Sequence, residues 1–159
     1  MGRQHAVHAV DAPRSINRLA ADATTHCLTG CAIGEVLGLV IAAQLGWDAL
    51  GPIALAVVLA YIFGYALTLR PLLRSGLALG AALAIAFAAD TLSITVMEVV
   101  DNAVLLAIPG AMEAGLLDPL FWASLAVALV IAWVAAFPVD RFLIGRGLGH
   151  AIAHRHHSA

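Results

Sequence analysis

The chain has 159 residues, of which 62% are hydrophobic and only 11% are charged, and its mean hydropathy is +0.96. Soluble domains carry roughly 25% charged residues, so this composition excludes an ordinary water-soluble domain and favours one small membrane-embedded bundle. The net charge of −2 includes no lysine, and the scattered arginines form no basic run of the kind that binds nucleic acid.

Four apolar stretches each approach the ~20 residues that a helix needs to cross the hydrocarbon core of a bilayer. They lie at about 26–45, 52–69, 76–100 and 120–137. The short connectors between them contain glycine, proline and other helix-stop signals, which predicts that successive helices are antiparallel neighbours. We therefore predict an all-α fold, a four-helix transmembrane domain over residues 24–138. It would follow a cytoplasmic segment, 1–23, and precede a cytoplasmic tail, 139–159, that contains histidines and arginines.

The arginines predict the orientation of the chain. All eight fall at the same end of the predicted bundle: Arg3, Arg14, Arg18, Arg70, Arg74, Arg141, Arg146 and Arg155. The two connectors at the opposite end carry only acidic charges. Positive residues stay on the cytoplasmic side of a membrane. We therefore expect a multi-pass protein of a cytoplasmic membrane with both termini in the cytoplasm.

The first span carries polar residues where it should be most apolar. Cys27, Cys31 and Glu35 are spaced i, i+4, i+8 and so share one helix face, whereas His26 lies about 100° around the helix. Thiolates and an imidazole suit Cu(I) or Zn(II). We predict a metal site made by His26, Cys27, Cys31 and Glu35, with Cu or Zn as the possible ion and no organic cofactor. The alternative is that both cysteines act as small buried hydrophobes.

The third span carries a second polar face, on which Asp90, Glu98 and Asp101 fall at offsets 0, 8 and 11. A carboxylate at mid-bilayer costs on the order of 3 kcal/mol, so Glu35 and Asp90 should face the bundle interior. The predicted core contains no lysine or arginine that could pair with them. The remaining ways to offset this cost are a shared proton, a hydrogen bond to a hydroxyl, water or a bound cation. We predict a cation or proton path lined by Asp90, Thr91, Glu98 and Asp101.

Three other residues are secondary metal candidates. Met97 offers a thioether beside the carboxylates of the third span, and His150 and His154 are four apart in the C-terminal tail. The alternatives are a core methionine and a solvated tail.

Two stripes of small residues predict how the helices pack. The stripe on the first span is Gly30, Gly34 and Gly38, and the stripe on the third is Gly76, Gly80, Ala84 and Ala88. Small residues allow helix backbones to approach closely in lipid. We expect the first and third spans to form a close parallel pair around the polar residues.

Three stretches, "ATTHCLTGCAIGE", "AADTLSITVME" and "FPVDRFLIGRGLGHA", resemble the signature stretches of a bacterial membrane family called domain of unknown function 4396. The resemblance covers about 23–154. The matching positions are His26, Cys27, Gly30, Cys31, Gly34, Glu35, Asp90, Thr91, Ser93, Thr95, Glu98, Pro138, Asp140, Arg146 and Gly147. Glu35 replaces the aspartate that other members can have, and Asp140 replaces the usual asparagine. The family name implies no activity, but the resemblance implies that the polar residues of the first and third spans form one functional cluster.

These patterns favour a membrane protein that binds, and transports or senses, a cation, most of all a soft transition metal. The lipid bilayer, a second copy of the chain in a homo-oligomer and a cytoplasmic metal carrier are the expected partners. The alternatives are a membrane-embedded redox or metal-dependent enzyme and an accessory subunit with a purely structural polar core. The enzyme is less favoured, because two cysteines one helical turn apart are poorly placed for a disulfide.

Overall fold

The computed structural model describes residues 15–47 and 50–146. Four α-helices run through these ranges: α1 (Ile16–Gln44), α2 (Leu50–Arg74), α3 (Leu79–Ala107) and α4 (Pro119–Gly145). Each is long and apolar enough to cross a membrane, and the described ranges contain no strand. The predicted all-α class and the four apolar helices are confirmed. The helices extend past the predicted apolar cores because their polar end turns continue the same helical hydrogen bonding.

Local sequence signals explain where the helices end. Gly46 and Gly76 adopt positive φ angles of 65° and 86°, directly after α1 and α2. After α1, the Gly46 amide donates to the Ala43 carbonyl and the Trp47 amide donates to the Ala42 carbonyl, which is the Schellman pattern. At the start of α4, the Asp118 side chain accepts a hydrogen bond of 2.9 Å from the Leu120 amide.

The four helices run alternately up and down. Gly30 lies against Gly64 and Gly38 against Ala56, so α1 and α2 are antiparallel. The other sequential pairs show the same reversed register, as when Tyr61 and Tyr65 of α2 bond Thr95 and Thr91 of α3. We call the end at which α1 begins and α4 ends the terminal end. The opposite end, with the α1–α2 and α3–α4 connections, is the loop end.

The glycine stripe of α1 packs on α2 rather than on α3. A Cβ atom on Gly30 would lie 2.6 Å from the Gly64 Cα, one on Gly38 would lie 2.5 Å from the Ala56 Cα, and one on Gly34 would press into the Ala60 backbone. On α3, Gly80 is exposed with nothing near its missing side chain. The expected close pair of the first and third spans is therefore wrong. Small residues specify close approach but do not specify which helix approaches.

Candidate functional site

A continuous seam of polar side chains runs inside the bundle. We define the polar seam by its members: Thr24, Cys27, Cys31, Glu35, Asp90, Ser93, Glu98, Asp101 and Asp140. Apart from the half-buried Glu98, every member is buried. From Thr24 to Glu35 the seam extends about 16 Å along α1, roughly half of a ~30 Å hydrocarbon core. The five described arginines are all exposed, so none of them lies within it.

The part of the seam nearer the terminal end is held by hydrogen bonds between helices. Asp140 of α4 accepts bonds from the Thr24 hydroxyl of α1 at 2.6 Å and from the Ser93 hydroxyl of α3 at 3.0 Å, both at Oδ2. Thr24 also contacts the Ala20 carbonyl at 2.8 Å. A single carboxyl group thus joins three helices.

Asp90 extends this arrangement to the fourth helix. It is fully buried, its Oδ1 lies 3.8 Å from the Cys27 sulfur, and the Thr68 hydroxyl of α2 is beside it. Cys27 is also next to Ser93. We call Thr24, Cys27, Thr68, Asp90, Ser93 and Asp140 the terminal-end cluster. Asp140 thus accepts hydrogen bonds from two hydroxyls, and Asp90 has the Cys27 thiol and the Thr68 hydroxyl beside it.

The part of the seam nearer the loop end is built differently. Glu35 of α1 lies beside Asp101 of α3, and Cys31 lies beside Glu98. Asp101 is buried, with 4% of its surface exposed, and its Oδ1 has no hydrogen-bond partner among the described residues. We call Cys31, Glu35, Glu98 and Asp101 the loop-end cluster. Here carboxyl groups neighbour one another instead of hydroxyl donors, so protons or water must complete their hydrogen bonding.

The two clusters meet at the sulfur atoms. Cys27 and Cys31 are both free thiols, and they share one buried apolar cluster with Met97 and Ile94. Three sulfur-bearing side chains therefore lie between the carboxyl groups of the terminal-end cluster and those of the loop-end cluster.

A cavity of about 40 Å³ adjoins the loop-end cluster. Glu35 and Asn102 contribute its polar lining, and its other walls come from all four helices and from the connection after α3. Water occupies about 30 Å³ in the liquid, so the cavity can hold at least one water molecule.

The model of a family described as domain of unknown function (DUF4396) matches residues 17–149, which include the whole polar seam. The chain belongs to this family. No curated protein and no solved structure matches it. The expected resemblance is thus confirmed, and the DUF4396 match covers nearly all of the described helical region.

The DUF4396 fold brings together most of the residues that the sequence singled out. Both cysteines and Glu35 face the third-span carboxyl groups, as the periodicity predicted. His26 is half-buried beside the Leu67 backbone of α2. Across the described residues, no three His, Cys, Asp or Glu side chains are arranged as a metal site. His150 and His154 lie outside the described residues.

Thr91 is half-buried and makes its hydrogen bonds at the contact between α2 and α3. Its hydroxyl donates to the Phe87 carbonyl at 2.5 Å, and the Tyr65 hydroxyl donates to Thr91 at 2.8 Å. Tyr61 and Thr95 repeat the arrangement one turn away at 2.6 Å. These bonds form a hydroxyl ladder at the outer edge of the α2–α3 contact, beside the seam and not within it.

Asp140 is the main site residue that sequence reasoning left out. It appeared in the family signature but fell in the predicted tail, whereas the structure continues α4 to Gly145 and buries Asp140. Thr24 and Thr68 were missed as well, since a buried hydroxyl is common in any helix, and Ser93 appeared only in the family signature. The one available signal was Asp140 itself, a carboxylate two residues after Pro138 in an otherwise apolar helix.

Proposed function

We propose that this DUF4396 protein is a multi-pass inner-membrane protein that binds a cation within the bundle and moves it along the polar seam. A proton is the cation that the geometry fits best. The observation that carries the proposal is the seam itself: five carboxyl groups and two thiols follow one another inside the bundle, with every described arginine outside it. Ionisable residues inside a membrane are expensive and typically functional.

The chemistry of the seam favours protons over larger ions. A protonated carboxyl, a hydroxyl and a thiol can each donate and accept a hydrogen bond, so neighbouring groups can pass a proton between them. A metal ion instead needs several ligands around one point. In the loop-end cluster the side chains meet in pairs, Glu35 with Asp101 and Cys31 with Glu98.

The arginines support the proposed orientation. Arg18 begins α1, Arg70 and Arg74 end α2, and Arg141 and Arg146 end α4, so the five described arginines all lie at the terminal end. By the positive-inside rule the terminal end is cytoplasmic and the loop end faces the other side. Lipid is then the partner of the exposed apolar faces. A homo-oligomer belongs to the same proposal, because four helices enclose only a narrow seam.

The proposal is tested by proton flux into liposomes. The purified full chain is reconstituted with an internal pH-sensitive dye, and a potassium diffusion potential set with valinomycin drives protons inward. We expect flux above that of empty liposomes, reduced at least tenfold by Glu35→Gln and by Asp90→Asn. Glu113→Gln removes an exposed acid of the loop and is the matched control. Wild-type flux equal to that of empty liposomes contradicts the proposal.

A soft metal bound in the bundle is the second candidate. The observation that favours it is the buried cluster that joins Cys27, Cys31 and Met97, because thiolate and thioether sulfur suit Cu(I). The ligand set predicted from the sequence, which also includes His26 and Glu35, belongs to this second candidate. A cytoplasmic metal carrier would then supply the ion.

The metal content of the purified protein tests whether the bundle binds a soft metal. Protein purified without a histidine tag is loaded with Cu(I) or Zn(II) under reducing conditions, desalted and measured by mass spectrometry. Near-stoichiometric metal that disappears in the Cys27→Ser, Cys31→Ser double variant supports the soft-metal site. Equal metal content in the double variant and in wild type counts against it.

A further inference from the structure

The two ends of the polar seam have different surroundings among the described residues. At the loop end, the lining of the cavity of about 40 Å³ runs from the connection after α3, where Met112 is exposed, to Glu35. Near Asp140, an apolar cluster joins α1 to α4. The cluster consists of Ala20, Ala23 and Ile144 with Leu19 and Phe137 packed against it. The loop-end cluster therefore has space for water beside it.

A buried carboxyl group with unmet hydrogen-bonding capacity lies beside the inner end of the cavity. Glu35 and Asn102 line it, and Asp101 lies beside Glu35. The buried Asp101 Oδ1 has no hydrogen-bond partner within the described part of the chain. A polar, roomy site with unsatisfied groups is the kind of place that holds ordered water, whereas a cavity lined only by apolar groups stays dry.

We propose that this cavity holds water and is the access route from the loop end, and that the Glu35–Asp101 pair at its inner end is the first group to take up a proton. The inference rests on the proposed function. It adds the end of the bundle from which protons enter and the first group that accepts them. A hydronium ion in the cavity gives its proton to a carboxylate oxygen of the pair and remains as water. The second carboxyl then accepts a hydrogen bond from the new O–H, so one proton serves both groups.

The other polar groups around the pair are consistent with this role. Glu98 of α3 faces the same pair, and Cys31, which packs with Cys27 and Met97, lies beside it. The Asn102 side chain donates to the Glu98 carbonyl at 2.9 Å, which fixes its amide at the cavity wall. The described residues place no arginine there. A proton taken up at Glu35 is therefore not displaced by a fixed positive charge.

Infrared spectroscopy of the lipid-reconstituted full chain tests the proposal. The C=O stretch of a protonated carboxyl shifts when its proton is exchanged for deuterium, so switching the buffer to D₂O reports how fast water reaches it. We expect a carboxyl band that Glu35→Gln removes and that shifts as fast as the buffer is exchanged. Filling the cavity with Ala111→Leu should slow this shift at least tenfold, because Ala111 is a buried part of its wall.

Three control variants keep the test interpretable. Ala114→Leu fills the same cavity from a second wall position, in case Ala111→Leu does not fold. Ala123→Leu, at an exposed position of α4, should leave the exchange rate unchanged. Glu113→Gln, which changes an exposed acid outside the seam, should leave both the Glu35 band and its rate unchanged.

The proposal is overturned if no carboxyl band depends on Glu35, or if both filling variants exchange as fast as wild type. These results are separable from those of the flux assay. Fast exchange at Glu35 without proton flux would support the access route and contradict proton transport. Proton flux that is unchanged in both filling variants would support transport and contradict this access route.

Discussion

The terminal-end and loop-end clusters bury the same kind of group by different means. At the terminal end, Asp140 receives hydroxyl donors from two other helices at 2.6 and 3.0 Å. At the loop end, Glu35 and Asp101 face each other beside a cavity, and one oxygen of Asp101 has no hydrogen-bond partner among the described residues. A buried carboxyl can be satisfied by fixed donors or by exchangeable protons and water. A carboxyl that accepts hydrogen bonds from fixed donors links helices together. A carboxyl that relies on water and exchangeable protons is able to gain or lose a proton.

The comparison depends on α1, because α1 contributes to both clusters and is held in place by α2. The largest effect should therefore come from Gly34, whose added Cβ would press into the Ala60 backbone. We expect Gly34→Ala to lower the free energy of unfolding in detergent by about 3 kcal/mol, since backbone atoms cannot move aside. Chemical denaturation followed by circular dichroism measures this loss.

The matched control is Gly80→Ala, at an exposed position where an added Cβ meets no atom within 4 Å. Its stability should be unchanged or higher by up to about 1 kcal/mol, from helix propensity alone. Equal losses in the two variants would mean that the α1–α2 contact is not the element that holds the clusters in register.

The next effect separates the two clusters. Asp140→Ala removes the acceptor of the Ser93 and Thr24 hydroxyls, and an unsatisfied buried donor costs about 1–3 kcal/mol. We expect a loss of about 2 kcal/mol for Asp140→Ala. Glu35→Ala should cost less, about 1 kcal/mol, because water in the adjoining cavity can take the place of the lost carboxyl beside Asp101.

The same unfolding assay measures both variants, with Asp140→Asn as the conservative partner because its amide oxygen still accepts a hydrogen bond. If Glu35→Ala destabilises the protein as much as Asp140→Ala, the loop-end cluster is a structural joint as well. The proton-accepting role of Glu35 would then lose its physical basis.

The smallest effect concerns the hydroxyl ladder that flanks the seam. Tyr65→Phe removes the hydrogen bond to Thr91, but Thr91 keeps its bond to the Phe87 carbonyl. Hydrogen bonds between membrane helices contribute about 0.6 kcal/mol on average, so we expect a loss of that size for Tyr65→Phe and for Tyr61→Phe. Thermal unfolding of the two single variants and the double variant measures it. Losses above about 2 kcal/mol would place the ladder among the main supports of α2.

The sequence was most informative where the signal is local. Apolar length predicted the helices, and the i, i+4, i+8 spacing of Cys27, Cys31 and Glu35 predicted that they share one inward face, because both depend only on helical geometry. The cost of a carboxyl in lipid likewise predicted that Asp90 is buried, and it is.

The sequence was least informative where two helices must be aligned. The small-residue pattern predicted that the glycine stripe of α1 packs on α3, whereas the structure packs it on α2. The sequence did not predict that Tyr65 bonds the Thr91 hydroxyl. It left Asp140 in a tail, although Asp140 joins three helices. A small or hydroxyl-bearing residue suits several neighbours equally well, so its own type does not identify its partner.

The sequence by itself determined four apolar helices, the inward face of each polar pattern and membership of the DUF4396 family. Only the tertiary structure decided that two hydroxyls donate to Asp140, that Glu35 meets Asp101, and that a cavity adjoins the loop-end cluster. The physical reason is that helical periodicity fixes the direction of a side chain from its own backbone. The partner that it meets depends on the axial register of another helix, which is set by the packing of the whole bundle.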